Sequence, residues 1–87
     1  MEFRWEPADC AVYSISIANG TVPLSGWYVE MIGYRNGIES PVRYGVGPSG
    51  AQASPAESLH GGPYRLIINR LNGASAEIVA DTTFNAP

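Results

Sequence analysis

Lysine is absent from these 87 residues, cysteine and histidine occur once each (Cys10 and His60), and only 15% of the chain is charged. Each shortage removes a class of function. One cysteine cannot form an internal disulfide, and with a single histidine it cannot make a structural zinc site. The five basic residues are all arginines (Arg4, Arg35, Arg43, Arg65, Arg70) against eight acids, a net charge of −3. No basic stripe exists for a phosphate backbone, so nucleic-acid binding is not expected. No run approaches the ~20 apolar residues of a membrane span. The opening MEFRWEPADC lacks the apolar core of a signal peptide. Synthesis in the cytoplasm is therefore the expected location, and a free Cys10 suits it. Asn19-Gly20-Thr21 has the form of a glycosylation sequon, but without a leader it reads as a turn.

What is present is apolar and turn-rich. Hydrophobic residues make up 45% of the chain, with ten glycines and seven prolines. The length corresponds to one domain, residues 1–87. A chain this short buries only about 60–65% of its unfolded surface, and oligomerisation or docking is a common source of the missing stability.

Three Asn-Gly pairs organise the chain: Asn19-Gly20, Asn36-Gly37 and Asn72-Gly73. Both residues tolerate positive φ, so Asn-Gly between alternating apolar residues signals a β-hairpin. A two-residue loop at Asn19-Gly20 sets Ile17 opposite Val22, Ile15 opposite Leu24 and Tyr13 opposite Gly26, with Ser14 and Ser16 on the other face. A two-residue loop at Asn36-Gly37 sets Met31 opposite Val42, Val29 opposite Tyr44 and Trp27 opposite Val46. That register also faces Glu30 with Arg43, a cross-strand pair contributing roughly 0.2–1 kcal/mol. At Asn72-Gly73 a two-residue loop would split the apolar residues between faces. A three-residue loop, Asn72-Gly73-Ala74, instead aligns Ile68 with Ile78, Leu66 with Ala80 and Tyr64 with Thr82, and brings Arg65 opposite Asp81. Gly73 or a neighbour is then expected in the left-handed conformation.

Strict alternation over Glu2–Glu6 predicts a further strand with Phe3 and Trp5 inward. The expected strands are 2–6, 10–18, 21–25, 26–35, 38–46, 63–71 and 75–84, an all-β antiparallel sandwich of about seven strands. Residues 47–62 form the long connection. Its Ser54-Pro55-Ala56-Glu57 has the capping-box pattern, which predicts a single helical turn near 55–60 with Leu59 on the core. A plain loop is the alternative.

The segment Leu59-His60-Gly61-Gly62-Pro63-Tyr64-Arg65-Leu66-Ile67-Ile68, with Asn72-Gly73 and Ala76-Glu77-Ile78-Val79, resembles the closing hairpin of fibronectin type III and immunoglobulin-like sandwiches. In those families a leucine, a glycine-containing turn and a tyrosine precede the strand, and the tyrosine makes a corner hydrogen bond. The resemblance gives those parts to Leu59 and Tyr64. Phe3-Arg4-Trp5-Glu6-Pro7 is similar to the strand-B tryptophan region of fibronectin type III modules. The resemblance implies a sandwich whose role is adhesive, carbohydrate-binding or architectural.

No reactive constellation emerges. Gly45-Val46-Gly47-Pro48-Ser49-Gly50 matches G-x-G-x-x-G, but Pro48 removes an amide and no long helix follows, so it reads as a loop. His60 has no nucleophile-elbow serine to serve. A paired-carboxylate glycosidase would need two of the eight acids across a cleft, which a sandwich of 87 residues rarely offers, and no EF-hand calcium loop is present. The expectation is a non-enzyme without cofactor or metal.

The remaining signal is apolar surface. One outer sheet face is expected to carry Tyr28, Ile32 and Tyr34, and another Ile67, Leu71 and Val79. Exposed apolar and aromatic patches mark interfaces. These six residues are the candidate interface for a protein partner or for self-association into a homo-oligomer. The leading expectation is a structural protein that docks on or decorates a larger assembly. Its sharpest version is a virion-associated capsid or tail accessory. The alternatives are a small inhibitor masking a partner enzyme, and a carbohydrate-binding module using Trp27, Tyr28, Tyr34 or Tyr44 as a stacking platform.

Overall fold

The computed structural model describes residues 2–6, 9–19, 22–56, 59 and 63–85. No helix occurs among them; the regular structure is all β, in two antiparallel sheets. The strands are β1 (Glu2–Phe3), β2 (Ser14–Asn19), β3 (Val22–Met31), β4 (Val42–Arg43), β5 (Ala51–Ala53), β6 (Tyr64–Asn72) and β7 (Ser75–Phe84). Among the described residues β1 pairs with β4, and the five-stranded sheet runs β5-β3-β2-β6-β7. This division into two and five strands differs from the four-and-three split of immunoglobulin constant domains.

The core lies between the sheets. Alternation places Ile15, Ile17, Trp27, Val29, Met31, Tyr64, Leu66 and Ile68 on the inner face of the large sheet, all buried. Phe3 and Trp5, read as inward from the sequence, are buried against them together with Val12, Ile38 and Val42. Trp27, the largest fully buried side chain, is 1% exposed. Leu59 packs on the same core, as expected. The expected helical turn near 55–60 falls largely outside the described residues, as do Gly20 and Thr21 of the first turn.

The first hairpin forms with a different register. Asn19 pairs with Val22, but Ile17 pairs with Trp27 and Ile15 with Val29, so β3 advances five residues while β2 advances two. The resulting bulge replaces the expected Ile17–Val22 and Ile15–Leu24 pairs. It aligns the β2 isoleucines with the bulky inner set of β3, which buries more apolar area per pair. Gly26 makes it feasible, since a Cβ there would lie 2.8 Å from the Ile17 carbonyl oxygen. The expected strands 21–25 and 26–35 are accordingly one strand ending at Met31.

The second hairpin does not form. Trp27, Val29 and Met31 do share a face, but their strand pairs with β2 and β5, not with 38–46. Residues 38–43 cross to the second layer, where Ile38 bridges Val12 and Val42 pairs with Phe3. Extending the large sheet with 38–46 would leave its inner face bare. Turning the segment over that face buries Ile38 completely and Val42 to 4% exposure, and each such residue contributes about 1.5–3 kcal/mol. Asn36 makes no hairpin turn. Its side-chain amide donates to the Leu71 carbonyl at 2.9 Å, and its Oδ1 accepts from the Leu71 amide at 2.7 Å. It thus imitates a neighbouring strand at the point where β2 has left β6. Glu30, expected opposite Arg43, pairs in register with Gln52 of β5. That strand was not anticipated. Its edge continues through Ser54, whose amide donates to the Tyr28 carbonyl and whose hydroxyl accepts from the Tyr28 amide, each at 2.9 Å.

The third hairpin turns on two residues, Gly73-Ala74, with Asn72 paired to Ser75, and not on the expected three. Gly73 is left-handed at φ 66°, as anticipated. A bulge at Val79 does the work assigned to the longer loop, so Ile68 faces Ala80 and Leu66 faces Thr82. Arg65 and Asp81 still meet, diagonally, at 2.9 and 2.7 Å. The segment 45–50 is a loop with Gly45 and Gly50 both at φ 82°, and its Val46 amide is used internally by the Arg43 carbonyl.

Two substitutions test this packing by urea denaturation. Gly26→Ala forces the β2–β3 bulge apart and is expected to lower stability by about 1–3 kcal/mol. Asn36→Ala strips both partners from the Leu71 backbone and is expected to cost about 1–3 kcal/mol. Asn36→Asp keeps the acceptor for the Leu71 amide but sets a carboxylate oxygen against the Leu71 carbonyl, and is expected to be at least as destabilising as Asn36→Ala.

Candidate functional site on the outer face of the large sheet

Residues paired across neighbouring strands project to the same side of a sheet. Two rows therefore cross the outer face: Gln52, Glu30, Ser14, Asn69 and Ile78, and beside it Tyr28, Ser16, Ile67 and Asp81. The middle strand contributes small side chains, Ser14 and Ser16. Tyr28 and Ile67 stand on either side of Ser16, two strand spacings or about 10 Å apart. Phe3, Trp5, Val12, Ile38 and Val42 of the second layer belong to the core on the inner face.

The polar centre is Glu30, half-buried on β3. Its Oε1 accepts a hydrogen bond from the Tyr13 hydroxyl. That bond, burial and the carboxylate charge together push the Tyr13 phenol up to about 12. Tyr28 is also raised, first by burial and then by the Glu30 charge. The Tyr34 ring meets Tyr13 edge-on at 5.5 Å, and its hydroxyl donates to the Ala74 carbonyl at 3.4 Å. Ser14, although on the outer face, is 3% exposed; its Oγ accepts from Asn69 at 3.5 Å. At the far side Arg65 holds the Asp81 carboxyl below its ordinary range through their hydrogen bonds.

The six candidate interface residues separate. Tyr28 and Ile67 share the outer face and are half-buried. Ile32 and Tyr34 lie in the segment following β3 and are 61% and 66% exposed. Leu71 is buried at 7% exposure and Val79, turned by its bulge, packs on the core, so neither offers a free surface. Trp27 and Tyr44 do not form a stacking platform. Trp27 is in the core, and Tyr44 packs edge-on against it at 5.3 Å with its hydroxyl on the Gly26 carbonyl. Sequence reasoning missed Tyr13, Glu30 and the exposed Ile78. The assumed hairpin gave Glu30 to Arg43 and faced Tyr13 inward toward Gly26; Tyr13 does pack against the core, but its hydroxyl reaches Glu30. The available signal was the i, i+2 spacing of Tyr28 and Glu30, which puts both on one face of a strand.

A concavity of about 370 Å³ lies beside the small sheet, lined by Glu2, Glu39, Pro41, Arg43, Val46 and Pro48. Among the described residues, no three His, Cys, Asp or Glu side chains converge to hold a metal ion. Cys10 is free and half-buried. Among the described residues, no helix is long and apolar enough to cross a membrane.

The Tyr13–Glu30 bond has a pH signature. A phenol raised above its ordinary value of 10 is stabilised in its protonated form by folding. The contribution is intact below pH 10 and is lost as pH rises through about 12. Absorbance at 295 nm should show a late-ionising tyrosine near pH 12 that is absent in Tyr13→Phe.

In comparisons with known proteins, no family model, no curated protein and no solved structure matches this chain.

Proposed function

We propose that this chain is a non-enzymatic interaction protein that docks on a larger assembly through the outer face of its five-stranded sheet, decoration of a virion being the sharpest version. The observation that carries the reading is the asymmetry of the two faces. The inner face is sealed by Phe3, Trp5, Val12, Ile38 and Val42. The outer face keeps Tyr28 and Ile67, flanked by the exposed Ile32, Tyr34 and Ile78. Aromatic side chains are enriched in interface cores, and Tyr28 and Tyr34 supply them on this face. The ten-residue β7 adds an edge with no strand beyond it among the described residues, a feature that soluble proteins cover or use for pairing.

A non-enzymatic role is supported by the state of the reactive groups. Glu30 is tied to Tyr13, Asp81 to Arg65, and the Cys10 sulfur faces the Ala11 carbonyl at 4.0 Å. The resemblance to fibronectin type III modules is part of this proposal only for the β6–β7 hairpin, where Tyr64 is buried against Phe84.

The test is site-specific photo-crosslinking with benzoylphenylalanine in extracts of the source organism. Placed at Ile32, Tyr34 or Ile78, the probe should give one defined adduct, either with a partner or with a second copy. Placed at the exposed Glu39 it should give none. Absence of an adduct at all three positions contradicts the docking reading.

A further inference from the structure

We propose that the outer face is built around a seat for an arginine side chain of the docked protein, with Glu30 as its anion and Tyr28 and Tyr34 as its aromatic walls. The inference rests on the docking reading and names the chemistry of the partner.

The first support is the charge balance around Glu30. The chain has five arginines and no lysine. Arg4 pairs with Glu2, Arg65 with Asp81 and Arg70 with Glu77. Arg43 lines the concavity with Glu2 and Glu39, and the guanidinium of Arg35 lies against Gly50 near Met31. Among the described residues, none forms an ion pair with Glu30. A half-buried carboxylate is thus held by a phenol donor from Tyr13, with no cation. Partial removal from water strengthens its attraction for any cation that reaches it.

The second support is the surrounding shape. Tyr28 lies two residues along the same face of β3. Tyr34, 66% exposed, leans edge-on against Tyr13 at 5.5 Å. Ring faces attract cations, and a guanidinium can stack on them while donating to a carboxylate. A guanidinium fits better than an ammonium, because its planar fork serves the carboxylate and the rings together. The exposed Ile32 would cover its aliphatic stem. The occupant is therefore an arginine on an exposed segment of the partner, matched to a chain of net charge −3.

The experiment titrates the full chain with acetyl-Gly-Arg-Gly-amide and follows the tyrosine ring signals by NMR. Saturable shifts are expected at Tyr13, Tyr28 and Tyr34. Acetyl-Gly-Gln-Gly-amide should give none. Glu30→Gln, which keeps an acceptor for Tyr13, should weaken the arginine response by about tenfold. Tyr34→Ser, at an exposed position, should weaken it by about threefold. The seat is overturned if the glutamine peptide acts equally, if Glu30→Gln leaves the response unchanged, or if methyl β-glucoside alone moves the rings. It is also overturned if shifts appear only around Glu2, Glu39, Glu77 and Asp81. Photo-adducts through Ile32 that survive Glu30→Gln would retain the docking reading and sink the arginine seat. Arginine binding without any adduct would do the reverse.

Discussion

Burial of the Ile15–Ile17–Trp27–Val29–Ile68 face governs this molecule, because a single sheet of five strands cannot leave that surface in water. The lid comes from residues distant in sequence: Phe3 and Trp5 near the start, Val12 before β2, and Ile38 and Val42 from the middle. Recruiting the middle segment has a cost, since it takes 38–43 out of the sheet and breaks an apparently good hairpin. The cost is offset locally. β5 occupies the edge of β3 that the hairpin would have filled. Asn36, freed from turn duty, satisfies the amide and carbonyl of Leu71.

The same constraint shapes the outer face. Once Trp27, Val29 and Met31 point inward, Tyr28 and Glu30 must point outward, and pairing with β2 sets them beside Ser16 and Ser14. The crossing of 32–37 then brings Tyr34 over Tyr13. A carboxylate, three phenols and two small hydroxyl residues come together as a by-product of how the inner face is covered. Their local electrostatics differ from those of the exposed Arg65–Asp81 and Arg70–Glu77 pairs, where solvent screens the charges and the pairs contribute little.

Both bulges perform one task. A strand alternates inward and outward with period two, so any apolar set of the wrong parity must be corrected or exposed. At Gly26 the correction needs a backbone approach that only glycine allows. At Val79 it needs one additional residue in β7, which turns that valine onto the core and leaves Ile78 in solvent.

Much of the local structure was legible in the residues. Alternation identified the all-β character, the inward Phe3 and Trp5, the shared face of Trp27, Val29 and Met31, the left-handed Gly73 and the meeting of Arg65 with Asp81. These depend on neighbours a few residues apart or on one turn. Residue order alone did not reveal the fate of Asn36-Gly37, the strand at 51–53, the burial of Leu71 or the meeting of Tyr13 with Glu30 and with Tyr34. An Asn-Gly pair favours a turn by only a small free energy, whereas covering an exposed Ile and Val stabilises the fold by more. That burial is realised only when both layers are assembled, so tertiary packing decided which local preferences survived.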